Sequence, residues 1–390
     1  MQKFLKTAGF VSMAAVIVIM MAATFVEKIH GAQTALRYFY HNPVFMILWG
    51  IMAVCGLWYL ISEGGLRKRP ATLLLHISFV LILVGALITH LWGQDGQVRL
   101  DPGITTSQWE MEDGTVKELP APMTLQSFEI ETYPGSEMPM DYRSTITVGS
   151  GAEAYTLVIS MNKIGKIDGY RFYQADYDGD SSILMIARDP WGVGVTYSGF
   201  ILLLIGMIGF LLNKESGRRF PLAVKIGVPL GLVILLIIFG TGPFSSDAML
   251  LPVLRSRLLL VHVTPIVMSY VLFLTVFIIG IIGLINSKSS VKLMDLSLSI
   301  LYPAVFLLAF GTFLGAVWAN ISWGSYWAWD PKETWALITL LVYMIPLHGK
   351  AIKAFRNPRF FHIYLILAIL CVLITYFGVN LILGGMHSYS

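Results

Sequence analysis

Apolar residues dominate the chain in long unbroken runs, and polar residues gather in the gaps between them. Nine runs are long enough to cross about 30 Å of hydrocarbon. They are residues 7–26, 43–62, 71–92, 193–213, 223–240, 257–286, 297–319, 334–350 and 359–381. Each predicts a membrane-spanning helix. One gap is different. Residues 93–190 alternate apolar and polar positions, as in "RSTITV" and "YTLVISM", with turn pairs such as Asp113-Gly114, Pro134-Gly135 and Asp178-Gly179. A period of two predicts strands, so this segment reads as β-rich. The expected fold is a polytopic α-helical membrane protein, with about nine transmembrane helices and one extracytoplasmic β-rich domain.

Composition agrees with the pattern. Of the 390 residues, 56% are hydrophobic and 13% charged, against about 25% charged in a soluble domain. The net charge of +4 is small, and no nucleic-acid partner is expected. The first apolar run lacks a clear A-x-A cleavage site and is followed by further runs, so it reads as a retained helix. The two cysteines, Cys55 and Cys371, lie inside apolar runs, and there is no C-x-x-C. The chain therefore has no dithiol redox motif and no cysteine-based zinc site of its own.

Charge placement sets the orientation. With the N-terminus inside, the inner segments hold fifteen Lys and Arg, among them Arg67, Lys68, Arg218, Arg219 and Arg356. The outer short loops hold five: Lys28, Arg37, Arg255, Arg257 and Lys332. The positive-inside rule then puts the β-rich domain, the stretch "WGSYWAWDPKETW" (323–335) and the C-terminal tail outside.

Topology sorts the eight histidines by depth. His76 lies about 6 residues, or about 9 Å, in from the inner end of the third run. His348 ends the eighth run on the same side. His262 opens the sixth run at the outer side, and His387 follows the ninth. His30, His41, His90 and His362 read as exposed, cap-region or anchoring residues. Ionisable groups within a span are costly, and imidazole is a haem-iron ligand. One histidine pair near the inner face and one pair outside would suit two bis-histidine sites. Arg255 and Arg257, close to His262, would suit pairing with haem propionates.

The stretch 323–335 holds four tryptophans, Trp323, Trp327, Trp329 and Trp335, beside Tyr326. A lipid-facing aromatic belt is the plain alternative. Asp330-Pro331 followed by Glu333 is a helix-start signature, so the strip is expected to be an ordered turn leading into the eighth helix.

"WGSYWAWDPKETWALI" resembles the tryptophan-rich WWD motif of the haem-handling proteins of cytochrome c maturation, and among them the CcsA (ResC) type. "LLVHVTPIVMSY" and "FGVNLILGGMHSYS" resemble that family's two external histidine segments. The N-terminal part, with three helices, an outer β-rich domain and a return helix, looks like a short CcsB (ResB). The whole resembles a CcsB–CcsA fusion, a system II cytochrome c synthase. The expected division is a CcsB-like part, 1–213, and a CcsA-like part, 214–390.

The resemblance implies roles. His262 and His387 match the external histidines that ligate haem iron, and with Asp330 they form the expected catalytic set. His76 and His348 match the internal pair. Trp323, Tyr326, Trp327, Trp329, Trp335, Arg255 and Arg257 complete the expected haem-binding set. Haem b is the substrate. The partners are an apocytochrome c bearing C-x-x-C-H, an external thiol reductant and membrane lipid. The implied activity is that of a holocytochrome c synthase of the bacterial cytoplasmic membrane. The outer domain is short for a CcsB, and the CcsA-like part has fewer helices than usual, so a homodimer partner that completes the haem path stays open. Three alternatives stay open as well: a haem exporter without ligation activity, an electron-transfer subunit with b haems, and a solute transporter.

Overall fold

A computed structural model describes residues 1–64, 68–213, 255–349 and 351–385, with a few isolated positions between 224 and 252. Among the described residues, seven helices are long and apolar enough to cross a membrane. The protein is a multi-pass membrane protein. The helices used below are α1 (Gln2–His30), α2 (Pro43–Ser62), α3 (Pro70–Trp92), α4 (Gly192–Leu212), α5 (Arg257–Ile285), α6 (Ser290–Trp323), α7 (Pro331–Met344) and α8 (Pro358–Leu373). The last continues as π-helical turns over Ile374–Leu383.

Local sequence explains several boundaries. Helices α2, α7 and α8 each begin at an Asn-Pro or Asp-Pro pair. Asn42, Asp330 and Asn357 accept the backbone N–H of Val44, Lys332 and Arg359 at 2.9–3.0 Å. Each following proline supplies a helical φ and has no N–H to leave unpaired. The expected run 334–350 is a 14-residue α-helix, α7, closed by a 3-10 turn Ile345–His348. Pro346 lacks the N–H that would extend the α-helix. The two pieces together reach about 29 Å, enough for the hydrocarbon layer. The run 297–319 is part of the longer α6, and the run 223–240 lies largely outside the described residues.

Helix α4 lies along α3 through Gly192, Gly199 and Gly206, spaced every seventh residue. A Cβ at Gly199 would stand 2.7 Å from Ile82 Cγ1, and one at Gly206 3.0 Å from Leu75 Cδ2. In lipid, where hydrophobic burial no longer drives helices together, such close approach supplies the dispersion contact. The centre of the helical core is filled by Trp335, Tyr343, Phe273, Phe361 and Leu308, all fully buried. The Phe273 and Tyr343 rings stack at 3.8 Å.

Residues 94–188 form the expected β-rich domain. Eight antiparallel strands make one sheet in the order β5-β4-β3-β2-β1-β8-β7-β6. They are β1 (Gln94–Leu100), β2 (Thr105–Met111), β3 (Val116–Thr132), β4 (Pro139–Val148), β5 (Tyr155–Ser160), β6 (Gly165–Ile167), β7 (Tyr170–Asp178) and β8 (Ser181–Arg188). The sheet curls on itself: its two edge strands, β5 and β6, are joined by a tight turn at Ser160–Lys163, and Gly165 of β6 lies against Leu157 and Ile159 of β5. Alternate residues such as Leu100, Leu125, Ile146, Phe172 and Leu184 fill the interior. The domain docks on the end of α6. Arg171 and Tyr173 of β7 donate to the Asn320 side chain and carbonyl at 2.9 and 3.1 Å, and Ser322 donates to Asn162.

Candidate functional site: two histidine levels joined by an aromatic strip

His76 (α3) and His348 (the turn after α7) are neighbours. Their ring centroids lie 6.3 Å apart, with the planes at 85°. Phe10 of α1 stands edge-on to His348 at 5.6 Å, and Gly56 of α2 leaves room beside His76. Sequence placed both residues at one depth. The fold also makes them lateral neighbours.

The strip lies at the other end of the same helices. Trp335 donates its indole N–H to Thr24 of α1, fourteen residues beyond Phe10. At 1.5 Å per residue, the two levels are about 21 Å apart along α1.

His262 sits in the first turns of α5, buried against α6. Its ring stacks on Trp318 at 5.2 Å, and Trp318 meets Trp323 edge-on at 4.7 Å. His262 is thus joined to the strip through one intervening indole. Gly311 and Gly315 of α6 allow this approach. A Cβ at Gly315 would lie 3.2 Å from His262 Cδ2. One at Gly311 would lie 2.9 Å from the His262 carbonyl oxygen and 2.5 Å from Ile266 Cγ1.

A common arrangement links three of the four expected ligands. The Nδ1 atoms of His76, His262 and His348 lie 2.8, 3.2 and 2.9 Å from the carbonyl oxygens of Thr72, Leu258 and Met344, four residues earlier in each case. Only an Nδ1–H can satisfy a carbonyl, so this bond selects the tautomer with its lone pair on Nε2. It also fixes the ring's orientation, as the outer hydrogen bond of a metal-ligating histidine does. The residue types and their tautomers therefore suit an iron ligand. His387 lies outside the described residues. The chain leading to it packs on the strip: Gly385 lies so close to Asp330 and Pro331 that a Cβ would clash there.

The strip is an ordered turn, as expected. Trp329 holds a left-handed backbone (φ 58°), rare for a bulky side chain. Its ring stacks flat on Tyr40 at 4.5 Å and its carbonyl accepts the Thr334 hydroxyl. Asp330 caps α7 through Lys332 N–H, as its position predicts. Glu333 accepts from the Ala328 N–H, two residues earlier than a standard capping box would use, because the turn at Trp329 redirects the backbone. Tyr326 donates to Thr89, and Thr89 to Asp189, at 2.9 and 2.6 Å. Asp189 in turn accepts the N–H groups opening α4. Burial pushes the Tyr326 phenol up, against the hydrogen bond to Thr89, so it stays protonated and a donor. Lys332 donates to Asn380 in the last helix.

These contacts divide the strip. Trp329, Trp335 and Tyr326 are engaged in holding the turn; Trp335 is fully buried in the helical core. Trp323 and Trp327 are half-buried. The indole N–H of Trp327 is buried and has no acceptor among the described residues. Arg255 faces the β-rich domain, where it donates to the Met140 carbonyl at 3.4 Å and lies over the Tyr133 ring at 5.6 Å. The β3–β4 hairpin overhangs the start of α5 and takes up the guanidinium expected to meet a propionate. Arg257 is exposed in the first turn of α5. Sequence reasoning missed Trp318, Tyr40, Thr89 and Thr24. Trp318 had a signal, a tryptophan at the outer end of the predicted run 297–319, five residues before Trp323. The others are met only through tertiary packing.

The profile described as "Cytochrome C assembly protein" matches residues 192–387, half of the chain. The chain belongs to the cytochrome c assembly protein family. The matched residues take in α4 to α8, His262, the strip, His348 and His387. The ResB-like family profile matches residues 55–186, which include His76 and most of the β-rich domain. The chain is 38% identical to Protein NrfI of Wolinella succinogenes over 152 residues, 36% of this chain and 17% of that protein. It is 40% identical to the cytochrome c biogenesis protein CcsA of Chlamydomonas reinhardtii over 152 residues, 36% of this chain and 43% of that one. To CcsA of Guillardia theta it is 31% identical over 228 residues, 50% of this chain and 75% of that one. The chain thus spans less than half the length of the first two.

The α5–α6 contact of this family member gives a direct test. Gly311→Val should separate the helices at His262 and destabilise the bundle by about 1–3 kcal/mol, the usual range for overpacking. Gly194→Val, at a position with nothing within 4 Å, should not. Thermal melts of the detergent-solubilised proteins would compare the two; equal melting temperatures would rule out the tight contact.

Proposed function

We propose that this chain is a cytochrome c synthase, which moves haem b from an inner to an outer site and promotes its attachment to an apocytochrome c. The shared Nδ1-to-carbonyl bond of His76, His262 and His348 carries the reading. Three imidazoles from distant parts of the chain are held in one tautomer, at two levels about 21 Å apart. Packing alone has no need of a common tautomer. The matches to cytochrome c assembly and ResB-like profiles in one chain, and the relatives named CcsA, support the same reading.

In this proposal the N-terminus is cytoplasmic, and the strip, β-rich domain and C-terminus lie outside a bacterial cytoplasmic membrane. Residues 1–213 are the CcsB-like part and 214–390 the CcsA-like part. His76 and His348 receive haem near the inner face, and His262 and His387 hold its iron outside. Trp323 and Trp327 supply the aromatic wall. Trp329, Trp335, Tyr326 and Asp330 fix that wall in place, and Arg257 remains a candidate partner for a propionate.

The reaction is an addition. Each cysteine sulfur bonds to one carbon of a haem vinyl group, the thiol proton ends on the neighbouring carbon, and no electrons are gained or lost. Holding haem and peptide in register is then the chief contribution. The chain's own cysteines lie in apolar helices, Cys55 buried and Cys371 half-buried. An external thiol reductant must therefore keep the acceptor peptide reduced.

The test is co-expression with a C-x-x-C-H reporter in cells lacking every other maturation gene. Covalent haem on the reporter is the expected outcome. Haem bound to this protein with none attached to the reporter would replace the synthase reading with that of an exporter.

A further inference from the structure

Two histidines outside the sites above face each other. His41 lies in the turn before α2 and His90 in the last turn of α3. Their ring centroids are 5.3 Å apart, with planes inclined at 51°. Both side chains are exposed. No hydrogen bond joins either ring to a protein group among the described residues, unlike the rings of His76, His262, His348 and His362.

The backbones that carry them are fixed. Tyr40, next to His41, is buried, stacks on Trp329 and lies 3.4 Å from the Thr334 hydroxyl. Thr89, next to His90, is held between Tyr326 and Asp189. The two imidazoles are thus presented on rigid supports at the rim of the aromatic strip, with only their own side-chain torsions left to set. Glu112, at the end of the β2 hairpin strand, adds negative charge near His41.

The separation distinguishes two kinds of metal site. A metal–imidazole bond of about 2.0 Å puts the ring centroid about 3.2 Å from the metal. Two rings on opposite sides of one iron would then be about 6.4 Å apart, and two rings on adjacent tetrahedral positions about 5.2 Å. The 6.3 Å of His76 and His348 suits the first arrangement, and the 5.3 Å of His41 and His90 suits the second. Among the described residues, no three His, Cys, Asp or Glu gather into a closed metal cage. Water would complete the coordination.

We propose that His41 and His90 form a two-imidazole chelate for one borderline divalent transition-metal ion, open to solvent and separate from the haem ligands. Imidazole donors favour Zn²⁺, Cu²⁺ and Ni²⁺ over Mg²⁺ or Ca²⁺, and the tetrahedral spacing selects Zn²⁺. Cu²⁺, whose adjacent square-planar positions would bring the rings to about 4.5 Å, serves as a spectroscopic probe that the side-chain torsions can accommodate. The ion would bridge the turn under Trp329 and the helix end under Tyr326, and so brace the strip from outside. The site does not depend on the synthase reading.

The test uses the full-length, detergent-solubilised protein without a polyhistidine tag, carrying His76→Ala and His348→Ala so that the inner pair cannot take up the probe, and stripped of metal by a chelator. Titration with Cu²⁺, followed by electron paramagnetic resonance, should show one equivalent with two nitrogen ligands. Zn²⁺ should compete for it. His41→Ala and His90→Ala should each weaken Cu²⁺ binding by at least about tenfold, and the double variant should lose that equivalent. His262→Ala should keep it, which separates this site from the outer haem ligands. A two-nitrogen Cu²⁺ signal that survives in the double variant would overturn the proposal. So would a parent protein with no such equivalent, or one whose signal disappears in His262→Ala alone.

Discussion

Replacing His262 with alanine should abolish covalent haem attachment to a C-x-x-C-H reporter, by about a hundredfold or more, and added imidazole should restore part of it. The size follows from positioning: displacement of reacting groups by about 1 Å can cost about a hundredfold, and here a whole ligand is removed. The rescue follows from the packing. The ring occupies a slot between Trp318 and the glycine face of α6 at Gly315, and its hydrogen bond to the Leu258 carbonyl stays within its own helix. Alanine leaves the helix intact and empties a slot of imidazole shape, which the free base can enter. The haem spectrum should change from that of two nitrogen ligands and recover with imidazole. A purely structural histidine would behave otherwise: the variant would lose stability, and imidazole would not repair it. Full ligation activity in His262→Ala without imidazole would remove this residue from the ligand set.

Much of this arrangement is legible in the sequence, for reasons that can be stated. Hydrocarbon thickness and the Asn-Pro start delimit α2 closely, and the Asp-Pro pair places the start of α7 though not its end. Helical rise then gives each histidine a depth. Depth is a coordinate along one axis only. Nothing in the local pattern brings α3 beside the turn after α7, so the His76–His348 contact needed the fold. The same holds for His41, which reads as a cap-region residue, and His90, which reads as an exposed outer one; only the fold brings their rings within 5.3 Å. Arg255 shows how little nearness in sequence says about where a side chain goes. Its nearness to His262 in sequence suggested a shared ligand, but the side chain leaves the helix start and meets Tyr133 and Met140 of a distant hairpin. The strip's density of tryptophan announced a special surface. Which rings are spent on holding it, Trp329 on Tyr40 and Trp335 on Thr24, depends on helices some 300 residues earlier in the chain.

The double variant His76→Ala, His348→Ala should separate haem delivery from haem attachment. In cells, haem recovered with the protein should fall about tenfold or more, as when metal-site partners are lost, and reporter ligation should fall with it. In detergent, where haem can reach the outer site directly, ligation per bound haem should return to the parent level. The reasoning is geometric. The inner pair lies about 21 Å from the strip along α1 and touches none of the groups that shape it. Among the described residues, the rings contribute hydrogen bonds only to Thr72 and Met344 of their own segments. Removing them thus leaves His262, Trp318 and the Trp329 turn unchanged. The centroid separation of 6.3 Å, near the roughly 6.4 Å of two opposite imidazoles on one metal, is the reason to expect a joint effect. Each single variant should lose most of what the double loses, because one remaining axial ligand cannot hold the haem as two do. Additive, small losses from the two single variants would mean that the rings do not act on one iron. A double variant that delivers haem normally in cells would show that haem reaches the outer site by another path.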